Sequence, residues 1–301
     1  MSKMRTFTVR VEPPKQATVT VPALQSVDIS SPACAFMGLI SWTIPAGYER
    51  AYYGAVLKKL GWKYQEGVYL YGVGGSATLF TAHLDTVARI PAKLTLFNSN
   101  GLVYCGGGLT LGADDRAGVA LILWLAHTMR LPGKYMLCTG EEVGCVGVQD
   151  FLYSPHSAPF LRDTAVCISL DRKGYSDIIT HQMRGQLASD MFAEVLADEL
   201  RAQGLYYAPS SAGLFTDSAY LPDIIPQIVN LSVGYHGAHT ASEFQDTTFL
   251  NKLGNALANL DHYGLEQVAL DYPLNPPLLD PDPQDYTQDA FTWIDQNGRS
   301  K

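Results

Sequence analysis

The sequence predicts an α/β protein: a three-layer sandwich with a mostly parallel, mixed central sheet and helices on both of its faces. Two observations predict this fold. Short apolar segments of strand length alternate along the chain with longer segments of helical periodicity, which is typical of parallel strands joined by helices. Candidate metal ligands also follow the ends of these strands, and in open α/β sheets binding sites form at the carboxyl ends of the strands.

The first part of the chain predicts an arm, a helix and two hairpins. Alternating apolar and polar residues indicate two short strands or an extended arm over 1–34. A helix is predicted over 45–62, because apolar residues recur every fourth position and Gly61 can end it. The segments 68–73 and 77–82, joined by Gly74-Gly75-Ser76, are predicted to pair as a hairpin. The segments 93–97 and 102–105 are predicted to form a second one.

The rest of the chain alternates between the two element types. Apolar strands are predicted over 134–139, 165–170 and 226–233. Three helices are predicted: one that follows LGADDRAG and ends near Arg130, one over 186–203, and one from Phe244 to about His262. No linker-like stretch interrupts the region from Gly47 to Gly264, so we expect one catalytic domain over 1–270. The proline- and acid-rich segment 271–301 is expected to be an extended tail.

Composition narrows the range of partners. The formal net charge is −8 and no Lys/Arg cluster is present, which argues against nucleic acid as a partner. Neither a signal peptide nor an apolar run of membrane-spanning length is found, so we expect no membrane partner and a cytoplasmic location. The five cysteines are an odd number without a CxxC pair, which predicts neither a disulfide framework nor a thiolate zinc site. Homo-oligomerisation stays open.

Five segments carry the candidate chemistry. Two metal ions about 3.5–4 Å apart need a shared carboxylate and roughly two further protein ligands each. Histidine and carboxylate ligands of this kind are supplied by His83, Asp114, Glu142, Asp171 and His239.

Two further acids have predicted roles beside these ligands. Asp85, two residues after His83, is expected to orient its imidazole, as carboxylates commonly do for metal-binding histidines. In the Glu141-Glu142 pair one acid can bind metal while its neighbour takes a proton from water. We assign Glu141 as the base and Glu142 as the ligand. His236 competes with His239 in GYHGAHT, and the His-Thr-x-x-Glu context favours His239.

Five motifs resemble those of a known family, the co-catalytic zinc exopeptidases, which include leucine aminopeptidase-like, tripeptidase T-like and carboxypeptidase G-like enzymes. In the family's order they are TAHLDTV (81–87), LGADDRAG (111–118), TGEEVG (139–144), ISLDRKG (168–174) and HTASEF (239–244). The resemblance implies a phosphorylase/hydrolase-like zinc exopeptidase core with a cis peptide after Asp114. It implies that Asp114 bridges the ions, that His83 and Asp171 complete one site, and that Glu142 and His239 complete the other.

The spacing of the ligands departs from part of that family. Lidded branches insert a domain between the fourth ligand and the final histidine, but here 239 − 171 = 68 residues leave no room for one. The compact, lidless aminopeptidase branch is therefore the better match. Groups that the lid would supply to grip the substrate must come from elsewhere, and the candidates are Arg184, Tyr235 and His236. Asp217 is a candidate to meet a substrate amine, although a helix N-cap at Thr216 explains this segment equally well.

The sequence therefore predicts a dinuclear zinc hydrolase that cleaves peptide bonds, an aminopeptidase or other exopeptidase, with cobalt or manganese as alternative ions. A peptide or small amide is the expected substrate. Two alternatives remain: a deacylase or amidohydrolase acting on non-peptide amides, and a binding protein that keeps the fold and the metal site without turnover.

Overall fold

The structure is a computed structural model that describes residues 21–183 and 185–274. The predicted strands before residue 21, the predicted tail beyond residue 274 and Arg184 lie outside these residues. No helix in the described part of the chain is long and apolar enough to cross a membrane.

Eight α-helices and fourteen strands are formed by the described residues. The helices are α1 (Pro32–Leu39), α2 (Glu49–Lys59), α3 (Ala113–Trp124), α4 (Val146–Leu152), α5 (Ser157–Leu161), α6 (Asp190–Ala202), α7 (Thr247–Ala258) and α8 (His262–Asp271). A π-helical turn, Leu125–Met129, continues α3, and a 3₁₀ turn spans Asp217–Tyr220. The first seven strands are β1 (Lys63–Gln65), β2 (Val68–Val73), β3 (Thr78–His83), β4 (Leu96–Ser99), β5 (Leu102–Cys105), β6 (Gly133–Cys138) and β7 (Val166–Arg172). The others are β8 (Asp177–Ile179), β9 (His181–Gln182), β10 (Gly185–Gln186), β11 (Ala208–Ser210), β12 (Gln227–Ser232), β13 (Tyr235–His236) and β14 (Phe244–Asp246).

The central sheet has eight strands in the order β1-β2-β6-β3-β7-β12-β8-β11. Its middle, β6-β3-β7-β12, is parallel throughout, whereas β1 and β2 on one side and the β12–β8 pair on the other are antiparallel. The predicted mostly parallel, mixed sheet is thus confirmed. Because the middle strands run in one direction, the residues that end β3, β6 and β7 lie at one edge of the sheet.

One predicted hairpin is wrong. The strands of 68–73 and 77–82 both form, but β6 lies between them and pairs with each. All six residues of β6 are buried, so its backbone donors and acceptors need partners on both edges, and a place between β2 and β3 supplies them. The Gly74-Gly75-Ser76 segment is therefore a crossing connection and not a tight hairpin turn.

Apolar side chains on both faces of the sheet give the protein two hydrophobic cores. In β2, Tyr69 and Tyr71 join the core packed under α1, α2, α3, α6, α7 and α8, whereas Val68 and Leu70 join the core packed under α4 and α5. Alternate residues of β3, β6 and β7 divide between the cores in the same way, as the two-residue period of a strand requires. This division confirms the predicted three layers.

A second, antiparallel sheet has four strands in the order β13-β14-β5-β4. It contains the predicted second hairpin, which is confirmed, with its first strand at Leu96–Ser99. The helix predicted from Phe244 to His262 is wrong at both ends. Phe244 belongs to β14, which pairs with β5, and the helix begins only after Asp246, whose carboxylate caps it by accepting the N–H of Phe249 at 2.9 Å.

A further helix, α8, occupies residues that the sequence analysis left without an element. Its Glu266 is 8% exposed, and one carboxylate oxygen accepts hydrogen bonds from Ser76 Oγ (2.5 Å), Ala77 N (2.8 Å) and Thr78 Oγ1 (2.9 Å). This single carboxylate fixes the connection between β2 and β3 to α8.

Replacing Glu266 tests this anchor. We expect Glu266→Ala to lower the free energy of unfolding by about 2–4 kcal/mol, because three donors lose a shared charged acceptor. Urea unfolding measures the change. Glu194→Ala, at an exposed position of α6, is the control and should change stability by less than about 0.5 kcal/mol. Equal effects of the two substitutions would contradict the anchoring role.

His127 predicts a pH dependence of stability. Its Nε2 accepts a hydrogen bond from Trp62 Nε1 at 2.8 Å, and burial, with Arg130 nearby, lowers the pKa of this imidazole to about 4. Below pH 6.5, the ordinary pKa of histidine, His127 is protonated in the unfolded chain but stays neutral in the folded chain. The free energy of unfolding therefore falls as the pH drops from 6.5 towards 4. The loss reaches about 3 kcal/mol.

The variant His127→Gln keeps an acceptor for Trp62 and does not titrate in this range. Urea unfolding at pH 7.5 and pH 4.5 should therefore show a larger loss in the wild type than in this variant. Parallel losses in both proteins would rule the mechanism out.

Candidate metal centre

His83 is the last residue of β3, and its ring joins the sheet to the candidate ligands. Nε2 lies 3.1 Å from Asp114 Oδ1 and 3.7 Å from Asp171 Oδ1. On the other side of the ring, Nδ1 lies 3.1 Å from the Asp85 carbonyl oxygen and 3.5 Å from its carboxylate. The imidazole is 1% exposed, so its orientation is held by these contacts.

Asp85 also fixes the neighbouring acidic turn. Its fully buried carboxylate accepts the backbone N–H groups of Glu141 (3.0 Å) and Glu142 (3.1 Å). One side chain therefore sets the position of His83 relative to both glutamates.

Asp114 lies at the start of α3, at a cis peptide bond with Asp115, as the resemblance implies. Its two carboxylate oxygens face different histidines: Oδ1 is 3.1 Å from His83 Nε2, and Oδ2 is 3.3 Å from His239 Nε2. The buried Glu243 carboxylate holds this turn by accepting the N–H groups of Gly112 (2.7 Å) and Asp114 (3.0 Å).

Glycine is required at position 112. Its φ is +69°, and a Cβ there would come within 1.9 Å of the buried Arg116 side chain. Arg116 in turn donates to the carbonyl groups of Trp42, Leu111 and Gly112, so it braces the same turn from inside the core.

Asp115 belongs to neither group of candidate ligand atoms. Its carboxylate accepts the N–H groups of His83 (3.2 Å) and Gly118 (3.1 Å), and burial, opposed in part by His83, raises its pKa well above the usual range. This agrees with a residue that shapes the turn.

Asp171 lies in β7, and polar contacts hold its side chain and its backbone. Its carboxylate accepts Thr216 Oγ1 at 2.7 Å and the Tyr235 hydroxyl at 3.3 Å. The amide of Asn230, on the adjacent strand β12, accepts the Asp171 N–H at 2.9 Å and donates to its carbonyl oxygen at 3.1 Å. Thr216 occupies the N-cap position of the 3₁₀ turn, but its hydroxyl serves Asp171 and not the helix.

His239 completes the cluster from the loop between β13 and β14. Its Nε2 lies 3.1 Å from Glu142 Oε1 and 3.3 Å from Asp114 Oδ2. His236 does not reach the cluster: its ring stacks on Phe244, with 5.1 Å between centroids.

The ligand atoms form two groups that share Asp114: His83, Asp114 and Asp171, and Asp114, Glu142 and His239. Within each group they all lie within 4.8 Å of one another. The groups contain nitrogen and oxygen donors and no thiolate, which suits zinc and also cobalt or manganese.

The electrostatics of the cluster test whether metal ions fit. Glu142 Oε1 is buried and lies 3.1 Å from His239 Nε2, so these two atoms need either a proton between them or a cation that both can bind. Hydrogen bonds to Asp114 and Glu142 raise the pKa of His239 to about 10, so a positive charge is favoured where the two acids meet. Burial raises the pKa of Asp171 well above its usual range. Divalent ions would satisfy each of these groups.

Glu141 faces the cluster without belonging to either group. Its Oε2 lies 4.0 Å from His83 Nε2, and its side chain is 12% exposed. Burial, opposed by His83 and reinforced by Glu142, raises its pKa to about 7. A carboxyl group with this pKa can exchange a proton near neutral pH.

A cavity of about 230 Å³ opens onto the cluster. It is lined by residues that include Asp114, Glu141, Asp171, Lys173, Tyr235 and His239. Of the three residues expected to grip a substrate, Tyr235 lines the cavity, His236 does not, and Arg184 lies outside the described residues. Asp217 does not line the cavity either. It is buried near Cys138 and Cys145, and burial raises its pKa to about 8.

Glu243, Asn230 and Thr216 were missed as supports of the site. Glu243 lies in the HTASEF motif, where it served only as context for His239. All three act through one or two hydrogen bonds to residues distant in sequence, which leave no local sequence pattern.

Solved structures of peptidases share this architecture. The chain is similar to a tripeptidase from Staphylococcus aureus, with a TM-score of 0.64 and 14% identity over 80% of this chain and 99% of that one. It is also similar to aminopeptidase PepT from Bacillus cereus, with a TM-score of 0.62 and 16% identity over 79% of this chain and 99% of that one. The fold is that of the co-catalytic zinc exopeptidases.

A third similar structure, PhTET1-12s, is a dodecamer and matches with a TM-score of 0.55 and 16% identity over 74% of this chain and 96% of that one. No protein-family model and no curated protein sequence matches the chain. At such identities the similarity shows the zinc exopeptidase fold, and the chemistry must be argued from the site.

Substituting the shared aspartate tests the metal centre. We expect Asp114→Ala to lose both metal ions, because each group loses a ligand and the acids that remain repel one another. Asp115→Asn should keep them, since the Asp115 carboxylate accepts two backbone N–H groups and belongs to neither ligand group. Elemental analysis after dialysis measures the metal content, and tight binding of two ions by Asp114→Ala would exclude a bridging role.

Proposed function

We propose that the chain is a dinuclear metal-dependent hydrolase that cleaves peptide bonds, and specifically an exopeptidase of the aminopeptidase type. The observation that carries this proposal is the Asp114 carboxylate, whose two oxygens face two separate histidines, each with a further acid beside it. One shared carboxylate between two ligand groups is the arrangement that a two-metal hydrolase needs.

The ligand groups assign the residues. His83 and Asp171 would hold one ion, Glu142 and His239 the other, and Asp114 both. Zinc fits the donor set, as do cobalt and manganese. Bound there, two divalent ions would polarise the scissile carbonyl group and lower the pKa of a water molecule.

Glu141 is the proposed proton carrier. It lines the cavity, lies 4.0 Å from His83 and is not needed in either ligand group. Its carboxylate would take a proton from the attacking water and return it to the leaving nitrogen, a role that suits its pKa of about 7. Asp85 supports this role by holding the Glu141 and Glu142 backbone N–H groups.

Exopeptidase activity is favoured by two further observations. The similar structures include a tripeptidase and an aminopeptidase. The cavity of about 230 Å³ is smaller than a typical small-molecule site of roughly 300–1,000 Å³, so it suits the end of a peptide better than a long internal segment.

Glu141→Gln tests the mechanism. We expect metal content to stay at the wild-type level while kcat falls by about 10²–10⁴-fold, because the amide cannot accept the proton. Glu194→Gln, on the exposed face of α6, should leave both unchanged. Near-wild-type kcat in Glu141→Gln would remove Glu141 from the mechanism.

A substrate panel of aminoacyl amides, dipeptides, tripeptides and acyl-amino acids tests the reaction class. Hydrolysis of the peptides supports the proposal. Activity on acyl-amino acids alone would identify a deacylase instead. A protein that binds two metal ions and hydrolyses none of the substrates would be a binding protein.

A further inference from the structure

Two basic residues follow the ligand Asp171 directly and line the same cavity. Arg172 is paired with Asp177: its Nε and its terminal nitrogen each lie 3.0 Å from the same carboxylate oxygen. Lys173 has no ion-pair partner among the described residues, and its side chain is exposed. The cavity wall therefore carries one uncompensated cation.

The charge balance of the cavity depends on whether metal ions bind to the cluster, so this inference rests on the proposed function. Four acids, Asp114, Glu141, Glu142 and Asp171, face the two metal groups. Two divalent ions would balance these four negative charges. With these four acids balanced and Arg172 paired with Asp177, Lys173 would be the charged residue of the described cavity lining that has no partner.

An unpaired cation in the cavity can bind the carboxylate of a short peptide. Of the residues that line the cavity, the acidic ones are Asp114, Glu141 and Asp171, and all three are already engaged with the metal groups or the proton transfer. No other carboxylate of the described lining residues is available to pair with a substrate ammonium group. The substrate group that this lining can pair with is therefore an anion.

We propose that Lys173 is a specificity residue that binds a carboxylate of the substrate while the scissile amide lies at the metal cluster. Both groups line one cavity of about 230 Å³, so the carboxylate must belong to the residues next to the scissile bond. The substrate is then a short peptide that ends in a free carboxylate close to the cleaved bond, or one that carries an acidic side chain there.

The backbone around Lys173 is fixed, whereas its ammonium group can move. The Lys173 carbonyl oxygen accepts Ser232 Oγ at 2.8 Å, and the next residue, Gly174, donates its N–H to the Tyr235 carbonyl oxygen at 2.8 Å. The cation therefore stands on a flexible stem of four methylene groups anchored beside the ligand strand, which lets it follow carboxylates at slightly different distances.

The test uses the metal-loaded protein and a non-hydrolysable Leu-Gly analogue in which a methyleneamino group replaces the amide. Three forms are compared: the free acid, the carboxamide, and a carboxamide whose glycine is replaced by glutamate. Calorimetry measures binding to the wild type, to Lys173→Met, to Lys173→Arg, and to Lys252→Met as a control at an exposed lysine of α7.

We expect the wild type to bind the free acid about 10- to 100-fold more tightly than the carboxamide, as a charge-assisted hydrogen bond allows. Lys173→Met should abolish that difference, Lys173→Arg should keep most of it, and Lys252→Met should leave it unchanged. If the Lys173-dependent gain appears only with the glutamate form, the bound carboxylate is that of an acidic side chain. Equal binding of all three forms, or differences that persist in Lys173→Met, would overturn the proposal.

Hydrolysis of the matching peptides separates this inference from the proposed function. The wild type should cleave Leu-Gly with a lower KM than Leu-Gly-amide, and Lys173→Met should raise the KM for Leu-Gly with little change in kcat. Lys173-dependent binding without hydrolysis of either peptide would refute the peptidase and keep the carboxylate site. Hydrolysis without Lys173-dependent selectivity would keep the peptidase and refute the carboxylate site.

Discussion

The position of the Asp114 carboxylate is the constraint on which the rest of the site depends. Its two oxygens must face two histidines that come from opposite parts of the chain, one at the end of a central strand and one in a loop of the second sheet. The turn that carries it is held by Glu243 from one side and by Arg116 from the other. Because the central and second sheets each supply one histidine, the carboxylate also links the two sheets.

Supports of the site act mainly on backbone groups. Asp85 holds the N–H groups of the Glu141-Glu142 turn, Asn230 holds the backbone of Asp171, and Glu243 holds that of Asp114. Fixing the backbone in this way leaves the ligand side chains free to turn towards a common point. The two N–H groups that Glu243 accepts also favour its ionised form, against the burial that raises its pKa to about 6.

The negative charge at the site therefore comes from acids that the fold holds in place. Four acids lie together at the carboxyl ends of the strands, and the buried Glu142 Oε1 lies 3.1 Å from His239 Nε2. Such an arrangement is costly unless cations balance it. Lys173 lines the same cavity and has no ion-pair partner among the described residues, so its ammonium group is available to a substrate anion.

The sequence by itself determined the fold class and the placement of the candidate ligands at strand ends. Periodicity identified the buried strands and most helices, since burial on one or both faces leaves a local pattern of apolar residues. The pairing of β2 with β3 was predicted wrongly from the turn residues Gly74-Gly75-Ser76, which suggested a hairpin. The strand β6 needs partners on both edges and lies between β2 and β3. A strand's neighbours depend on hydrogen bonding across the whole sheet, which no local pattern records.

Only the tertiary structure decided which atoms meet. It brought Asp114, Glu142 and His239 together across more than a hundred residues of chain, kept His236 apart by stacking it on Phe244, and showed Glu243 to be a brace for Asp114. It also placed Lys173 in the same cavity as the cluster and gave Arg172 a partner in Asp177. These contacts depend on the directions of individual side chains and on one or two hydrogen bonds each, which leave no periodic pattern in the sequence, so the folded chain alone defines them.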